Sequence, residues 1–71
     1  MPTTTVREAI AYVEARGWTM IRWGKGDHRI YGHAESGARI TIPGTLNHAL
    51  PLGTWKAIKR QADSVLKGQQ P

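Results

Sequence analysis

The sequence predicts an α+β fold in which one helix, three strands and a second helix follow one another along the chain. Three observations predict it: an apolar stripe with helical spacing near each end, three short runs rich in β-branched and aromatic residues between them, and glycine-containing turns that separate those runs. Because short turns join the strands, the sheet should be an antiparallel meander. Both helices would cover one face of this sheet, and the other face would stay open to solvent or to a partner.

The first helix is predicted over residues 6–16. Thr5 and Glu8 have the spacing of a capping box, in which each side chain accepts a hydrogen bond from the other residue's backbone amide. Gly17 suits the position after the helix, where the backbone needs a positive φ. The apolar stripe of this helix consists of Val6, Ala9, Ile10 and Val13.

Three strands are expected in the middle of the chain, because the apolar runs there are too short for helices and are bounded by glycine. In the third strand apolar and polar side chains alternate, which predicts one buried face. Both alternate sets in the first strand contain apolar groups, so its buried face stays undecided. The predicted strands and turns cover residues 18–23, 24–27, 28–34, 35–37 and 38–42.

The second helix follows a loop over residues 44–50. Pro51 or Thr54 is expected to open it, since proline suits the first turn. Trp55 and Ile58 belong to its apolar stripe and are expected in the core. The basic side chains on or beside the opposite face of this helix are Lys56, Lys59 and Arg60.

Composition limits the class of protein. The 71 residues suffice for one small domain, expected to have an ordered core over about residues 5–66 and short polar tails. Ten Lys and Arg against five Asp and Glu give a net charge of +5, which favours nucleic acid or an acidic protein as partner. The absence of cysteine excludes disulfides and cysteine-ligated zinc. Without a spanning segment or a signal-like start, we expect a cytoplasmic protein that does not use a membrane.

The predicted turn between the first two strands carries the main candidate for chemistry. His28 follows two glycines and is flanked by Arg22, Lys25 and Arg29. Histidine titrates near neutral pH, and fixed positive charges stabilise a phosphate under attack. The alternative interpretation is a hairpin turn with ordinary solvated charges.

Several short segments follow one another in a specific order and spacing. They are Ala15-Arg16-Gly17-Trp18, Arg22, Gly26-Asp27-His28, Tyr31, Thr41-Ile42-Pro43 and Leu52-Gly53-Thr54-Trp55-Lys56-Ala57-Ile58-Lys59-Arg60-Gln61-Ala62. In these segments the chain resembles the HicA-type toxins, and the resemblance runs from about residue 5 to 64. It implies a fold like that of the double-stranded-RNA-binding domain, cleavage of mRNA without the ribosome, and neutralisation by a HicB-type antitoxin.

The resemblance implies that His28 is the catalytic histidine, with two departures from the family's pattern. Asp27 stands where the family most often has a small hydroxyl residue. Thr45 stands where the family tends to have a second histidine, and the nearest histidine is His48, for which an accessory role in proton transfer is considered.

Cleaving RNA without a metal requires proton transfer and positive charge, and these residues supply both types of group. His28 would act as general acid and base, with no cofactor and no metal. The residues expected to bind RNA phosphates are Arg22, Lys25, Arg29, Lys56, Lys59 and Arg60.

Four other side chains of the central region are given structural roles. Asp27 is interpreted as a turn residue, because neighbours in a strand point to opposite faces unless the turn extends through His28. His33 is interpreted as a surface histidine. Trp18 and Trp23 could stack on RNA bases, but both are expected to be buried, since aromatic residues of a small core are usually structural.

Two other functions remain open at this stage. A non-catalytic RNA-binding module on the same fold would bind RNA with steep salt dependence and leave it intact. A small basic protein that recognises only an acidic partner chain would have no RNA affinity above the nonspecific level. The oligomeric state, the RNA preference and the identity of the antitoxin do not follow from the sequence.

Overall fold

The computed structural model describes residues 4–68, and the polar tails predicted at the two ends lie mostly outside these described residues. The predicted α+β fold and its order of elements are confirmed. No helix within the described range is long and apolar enough to cross a membrane. The elements are α1 (Val6–Glu14), β1 (Trp18–Trp23), β2 (Arg29–His33), β3 (Arg39–Ile42) and α2 (Leu52–Gly68).

Helix α1 begins with the predicted capping box. The Thr5 amide donates to Glu8 Oε1 at 2.9 Å, and the Glu8 amide donates to Thr5 Oγ1 at 3.3 Å. The helix ends two residues before the predicted limit at residue 16. The backbone amides of Arg16 and Gly17 donate hydrogen bonds to the carbonyls three residues before them, which forms a turn tighter than that of an α-helix. Gly17 then takes the predicted positive φ, of 91°.

The three strands form an antiparallel sheet in the order β1-β2-β3. Cross-strand partners share a face, so Trp18 and His33 lie on one face, as do Tyr31 and Ile40. These four side chains are buried with Ile42 on the face that the helices cover. In β3 the predicted alternation of buried and exposed residues is confirmed.

Strand β1 contains an irregularity that the sequence does not reveal. Its register to β2 shifts between Met20 and Arg22, which leaves Ile21 as an extra residue. A Cβ placed on Gly32 would collide with the Ile21 side chain, so Ile21 covers Gly32 on the open face of the sheet. The shift brings Trp18 and Trp23 to the same face, although a spacing of five would otherwise place them on opposite faces.

Two predictions about burial are wrong. Trp23 is 54% exposed, because it lies at the far end of β1 from the buried Trp18. His33, interpreted as a surface histidine, is only 7% exposed. It lies opposite Trp18, with the two rings edge-on and their centroids 5.4 Å apart, and its Nδ1 accepts from the Ser36 amide at 3.4 Å.

The loop after β3 joins the start of α1. The Val6 amide donates to the His48 carbonyl at 2.9 Å, and the Arg7 amide donates to the Leu46 carbonyl at 3.0 Å. These bonds satisfy amides that a helix start leaves without intrahelical partners. Helix α2 begins at Leu52, directly after Pro51, which is one of the two predicted starts.

The two helices are held together by apolar and polar contacts. Ile58 is buried in the core as predicted, and Trp55 packs against the core with its ring edge-on to Tyr12, the centroids 5.2 Å apart. The Tyr12 hydroxyl donates to Asp63 Oδ2 at 2.8 Å, and Arg16 Nε donates to Asp63 Oδ1 at 2.8 Å. This Tyr12–Arg16–Asp63 network therefore links the end of α1 to α2.

Candidate active site

The turn between β1 and β2 extends through His28, so β2 begins at Arg29 and not at the predicted residue 28. The Gly24 amide donates to the His28 carbonyl at 2.7 Å, and the His28 amide donates to the Lys25 carbonyl at 3.3 Å. Gly26 permits the bend with a φ of 64°, which L side chains rarely adopt. We call residues 23–29 the hairpin tip.

The imidazole of His28 is held by the backbone of its own turn. Its Nδ1 lies 2.8 Å from the Lys25 carbonyl oxygen, and its side chain is 46% exposed. A carbonyl oxygen can only accept a hydrogen bond, so Nδ1 carries the hydrogen. In the neutral ring Nε2 then has the free lone pair, which is the form that a general base requires.

Asp27 lies closer to His28 than a regular strand would allow. Its Oδ1 is 3.7 Å from His28 Nδ1, and its side chain is 55% exposed. Because the turn extends through His28, the carboxylate can approach the ring, but 3.7 Å is too long for a hydrogen bond. The carboxylate lies on the side of the ring that the Lys25 carbonyl already occupies.

The cations predicted around His28 divide between the two sides of the hairpin tip. A Cβ on Gly24 would be 3.5 Å from His28 Cβ and 3.1 Å from Ile30 Cδ1, so His28 and Ile30 are on the same side. Arg22 is the partner of Ile30 across the strands, which places it on this side too. Lys25 is exposed within the turn itself.

Arg29 lies on the other side of the hairpin tip. It is paired with Trp23 on one neighbouring strand and with Ile42 on the other. Its Nη1 donates to the Gly44 carbonyl at 2.8 Å, and its Cζ lies 4.5 Å from the centroid of the Trp23 ring. Arg29 thus fixes the hairpin tip against the loop that follows β3.

His48 is an exposed residue of that same loop. Its ring packs against Gly44, since a Cβ there would be 3.0 Å from His48 Cδ2. Gly44 has a φ of 94°, so glycine is favoured at this position both by the backbone and by the lack of space. The bond from Arg29 to Gly44 therefore connects the hairpin tip with the segment that carries His48.

The basic side chains of α2 form a separate surface. Lys56 and Arg60 are exposed. Lys59 is half-buried, with its Nζ 5.1 Å from the centroid of the Trp55 ring, an arrangement in which a cation is attracted by the ring face.

One residue that the sequence assigned to the core, Trp23, lies beside the candidate site instead. Trp23 is exposed beside the turn, with the Arg29 guanidinium over its ring. The signal for this exposure in the sequence was its place at the end of a strand, directly before a glycine turn. Within residues 4–68, no three His, Asp or Glu side chains lie together as ligands for a metal ion.

Comparison with known proteins assigns the class. The sequence matches a family of toxins from bacterial toxin–antitoxin systems, and the match covers residues 6–63. The family is that of the HicA toxins, and because the match spans most of the chain, this protein belongs to it. No curated protein and no solved structure matches the chain.

Proposed function

We propose that this HicA-family toxin is a metal-independent RNA endonuclease that cleaves mRNA, with His28 as its general acid and base. The observation that carries the proposal is the exposed His28 ring, whose Nδ1 is bound to the Lys25 carbonyl at 2.8 Å. That bond leaves Nε2 directed away from its own turn and available to a substrate. Cleavage of mRNA would take place in the cytoplasm.

The reaction proceeds by transfer of the phosphate to the neighbouring hydroxyl. His28 Nε2 accepts the proton of a 2′-hydroxyl, and the oxygen attacks the adjacent phosphorus. The bond from phosphorus to the 5′-oxygen breaks, and the protonated imidazole returns its proton to that leaving oxygen. The products are a 2′,3′-cyclic phosphate and a 5′-hydroxyl, and the imidazole is regenerated.

Positive charge near the attacked phosphate lowers the energy of the transition state. Arg22 lies on the His28 side of the hairpin tip and Lys25 lies in the turn, so these two are the nearest phosphate ligands in the proposal. Arg29 contributes charge from the other side. His48 is an accessory group for proton transfer. The basic surface of α2, formed by Lys56, Lys59 and Arg60, binds phosphates further along the RNA.

The family implies an antitoxin as partner, and we propose that a HicB-like protein neutralises this toxin. A chain with a net charge of +5 is suited to an acidic partner surface, which speeds encounter and fixes orientation. An antitoxin that covers the hairpin tip would exclude RNA from His28 directly.

The test is incubation of the purified protein with a long RNA in excess EDTA. Wild-type protein should cleave the RNA and leave 2′,3′-cyclic phosphate ends. His28→Ala should reduce cleavage by roughly 10²- to 10⁴-fold, the usual contribution of a general acid and base. Its circular dichroism and RNA affinity should match those of the wild type, because His28 lies in an exposed turn.

Two results would contradict the proposal. Cleavage at the wild-type rate by His28→Ala would remove His28 from the mechanism. Intact RNA with folded wild-type protein would favour one of the two other functions. Steeply salt-dependent RNA binding would then indicate a non-catalytic RNA-binding module, and RNA affinity at the nonspecific level would indicate a protein that binds only an acidic partner.

A further inference from the structure

We propose that Trp23 is a stacking platform for one base of a single-stranded RNA bound across the hairpin tip. The platform consists of the Trp23 ring and the Arg29 guanidinium that lies over it. This inference rests on the proposed function in taking RNA as the ligand, but it concerns binding and not the cleavage step.

The first argument is the exposure of Trp23. A large aromatic side chain in a chain of this size usually contributes to the core, as Trp18 does. Trp23 is instead 54% exposed, although it shares a sheet face with the buried Trp18. Its ring therefore remains accessible beside the turn that carries His28.

The second argument is the way in which the ring is held. The Arg29 Cζ lies 4.5 Å from the ring centroid, and Arg29 Nη1 is bound to the Gly44 carbonyl at 2.8 Å. The guanidinium thus fixes one face of the ring. Exposed aromatic rings and arginine planes are the groups on which unstacked RNA bases lie in protein complexes. A ring that is already ordered loses less conformational freedom when a base stacks on it.

The third argument is the short distance between Trp23 and His28. Trp23 is paired with Arg29, the residue directly after His28. The spacing between neighbouring strands and the rise of one residue along a strand together place the Cα atoms of Trp23 and His28 roughly 6 Å apart. The two side chains lie on opposite sides of the hairpin tip, so a strand passing over its end would contact both. The stacked base would be close to the scissile phosphate.

The charge around the ring favours a nucleic acid over an apolar protein partner. Arg22, Lys25 and Arg29 are all in the hairpin tip or directly beside it. Phosphates that flank a stacked base would meet these cations, whereas the centre of a protein interface is usually depleted of charge.

The experiment measures binding to an RNA that cannot be cleaved. The probe is a 12-nucleotide single-stranded RNA of mixed sequence with 2′-O-methyl groups at every position, which removes the attacking hydroxyl. Trp23→Leu keeps an apolar side chain without a ring face, and Trp23→Phe keeps a smaller ring. We expect Trp23→Leu to weaken binding by about 5- to 150-fold, the usual range for loss of one stacked base, and Trp23→Phe to weaken it less.

Tryptophan fluorescence is a second readout of RNA binding, and it does not depend on a change in the stability of the protein. Trp18 is buried and Trp55 is packed against the core, so Trp23 is the exposed emitter of the three tryptophans. Titration with the probe should quench wild-type emission, and this quenching should be absent in Trp23→Phe. Trp55→Phe is the matched control, since it also removes one tryptophan but should retain both the quenching and the affinity.

Unchanged RNA affinity in Trp23→Leu, with unquenched fluorescence in the wild type, would overturn the proposal and leave the ring as a contact for a protein partner. The two proposals fail separately. Trp23-dependent binding by a protein that does not cleave unmodified RNA would overturn the endonuclease and retain the platform. Cleavage that depends on His28, with binding independent of Trp23, would do the reverse.

Discussion

Asp27 brings a negative charge to the place where the proposed reaction must accept a phosphate. Its Oδ1 lies 3.7 Å from His28 Nδ1. His28 Nδ1 donates its orienting hydrogen bond to the Lys25 carbonyl at 2.8 Å, so the carboxylate is not needed to fix the ring. Replacing it with the neutral amide of the same shape, Asp27→Asn, should therefore increase activity.

The size of the increase follows from Coulomb's law. A phosphate bound to His28 Nε2 would lie about 6 to 8 Å from the Asp27 carboxylate, allowing for the ring and one hydrogen bond. Both side chains are about half exposed, so the dielectric constant of water is the appropriate one. Two unit charges at that separation repel by roughly 0.5–0.7 kcal/mol, which corresponds to a factor of about two to three.

The assay is the initial rate of RNA cleavage at substrate concentrations well below KM, which gives kcat/KM. Asp27→Asn should raise kcat/KM two- to three-fold at low salt, on the estimate above, and the gain should shrink at high salt because ions screen exposed charges. Glu35→Gln is the control, since it makes the same change of net charge in the turn at the opposite end of β2. A fall in kcat/KM for Asp27→Asn would refute the reasoning and show that the carboxylate assists His28.

Two further predictions concern the network that links the helices. Asp63→Ala removes the hydrogen-bond acceptor of Tyr12 and Arg16. Because these groups are partly exposed, we expect the free energy of unfolding to fall by about 1 kcal/mol, which lowers Tm by about 4–8 °C in circular dichroism. An unchanged Tm would contradict this prediction. Burial, and then the hydrogen bond to Asp63, raises the pKa of Tyr12. Because the pKa is higher in the folded than in the unfolded state, its contribution to stability is present below about pH 10 and is lost as the pH rises further. Tyr12→Phe should therefore flatten the loss of stability above about pH 10 in urea titrations. Burial also raises the pKa of Tyr31, so part of the loss of stability at alkaline pH should remain in Tyr12→Phe. If the slope of stability against pH is the same in Tyr12→Phe as in the wild type, Tyr12 has no role in this loss.

The fold was predictable because its signals are local. A capping box at Thr5, alternation in β3 and glycine at the turns each depend on residues a few positions apart. The ends of elements were less predictable, because they depend on which partner a backbone amide finds. Helix α1 ends early through bonds to residues three positions back, and β2 begins after His28 because the Lys25 carbonyl holds the turn together.

The surroundings of the candidate site were harder to predict than the turn that carries His28. His28 stood out by its place among glycines and cations, and the structure puts it in an exposed turn. Trp23 and His33 were assigned wrongly because their burial depends on tertiary contacts. The extra residue at Ile21 changes which side chains share a face with Trp18, and a polar His33 becomes buried because it lies opposite that tryptophan.

The buried pair Trp18 and His33 and the candidate site lie at opposite ends of the β1–β2 hairpin. Trp18 and His33 are buried at one end of this hairpin, whereas Trp23 and His28 are exposed at the other. The group that orients His28 is a backbone carbonyl, which no side-chain substitution removes. Changes at Lys25 or Asp27 therefore alter the charge around the imidazole while the hydrogen on Nδ1 stays in place. We therefore expect substitutions at Lys25 and Asp27 to change the rate of the proposed reaction without disturbing either the core or the tautomer on which that reaction depends.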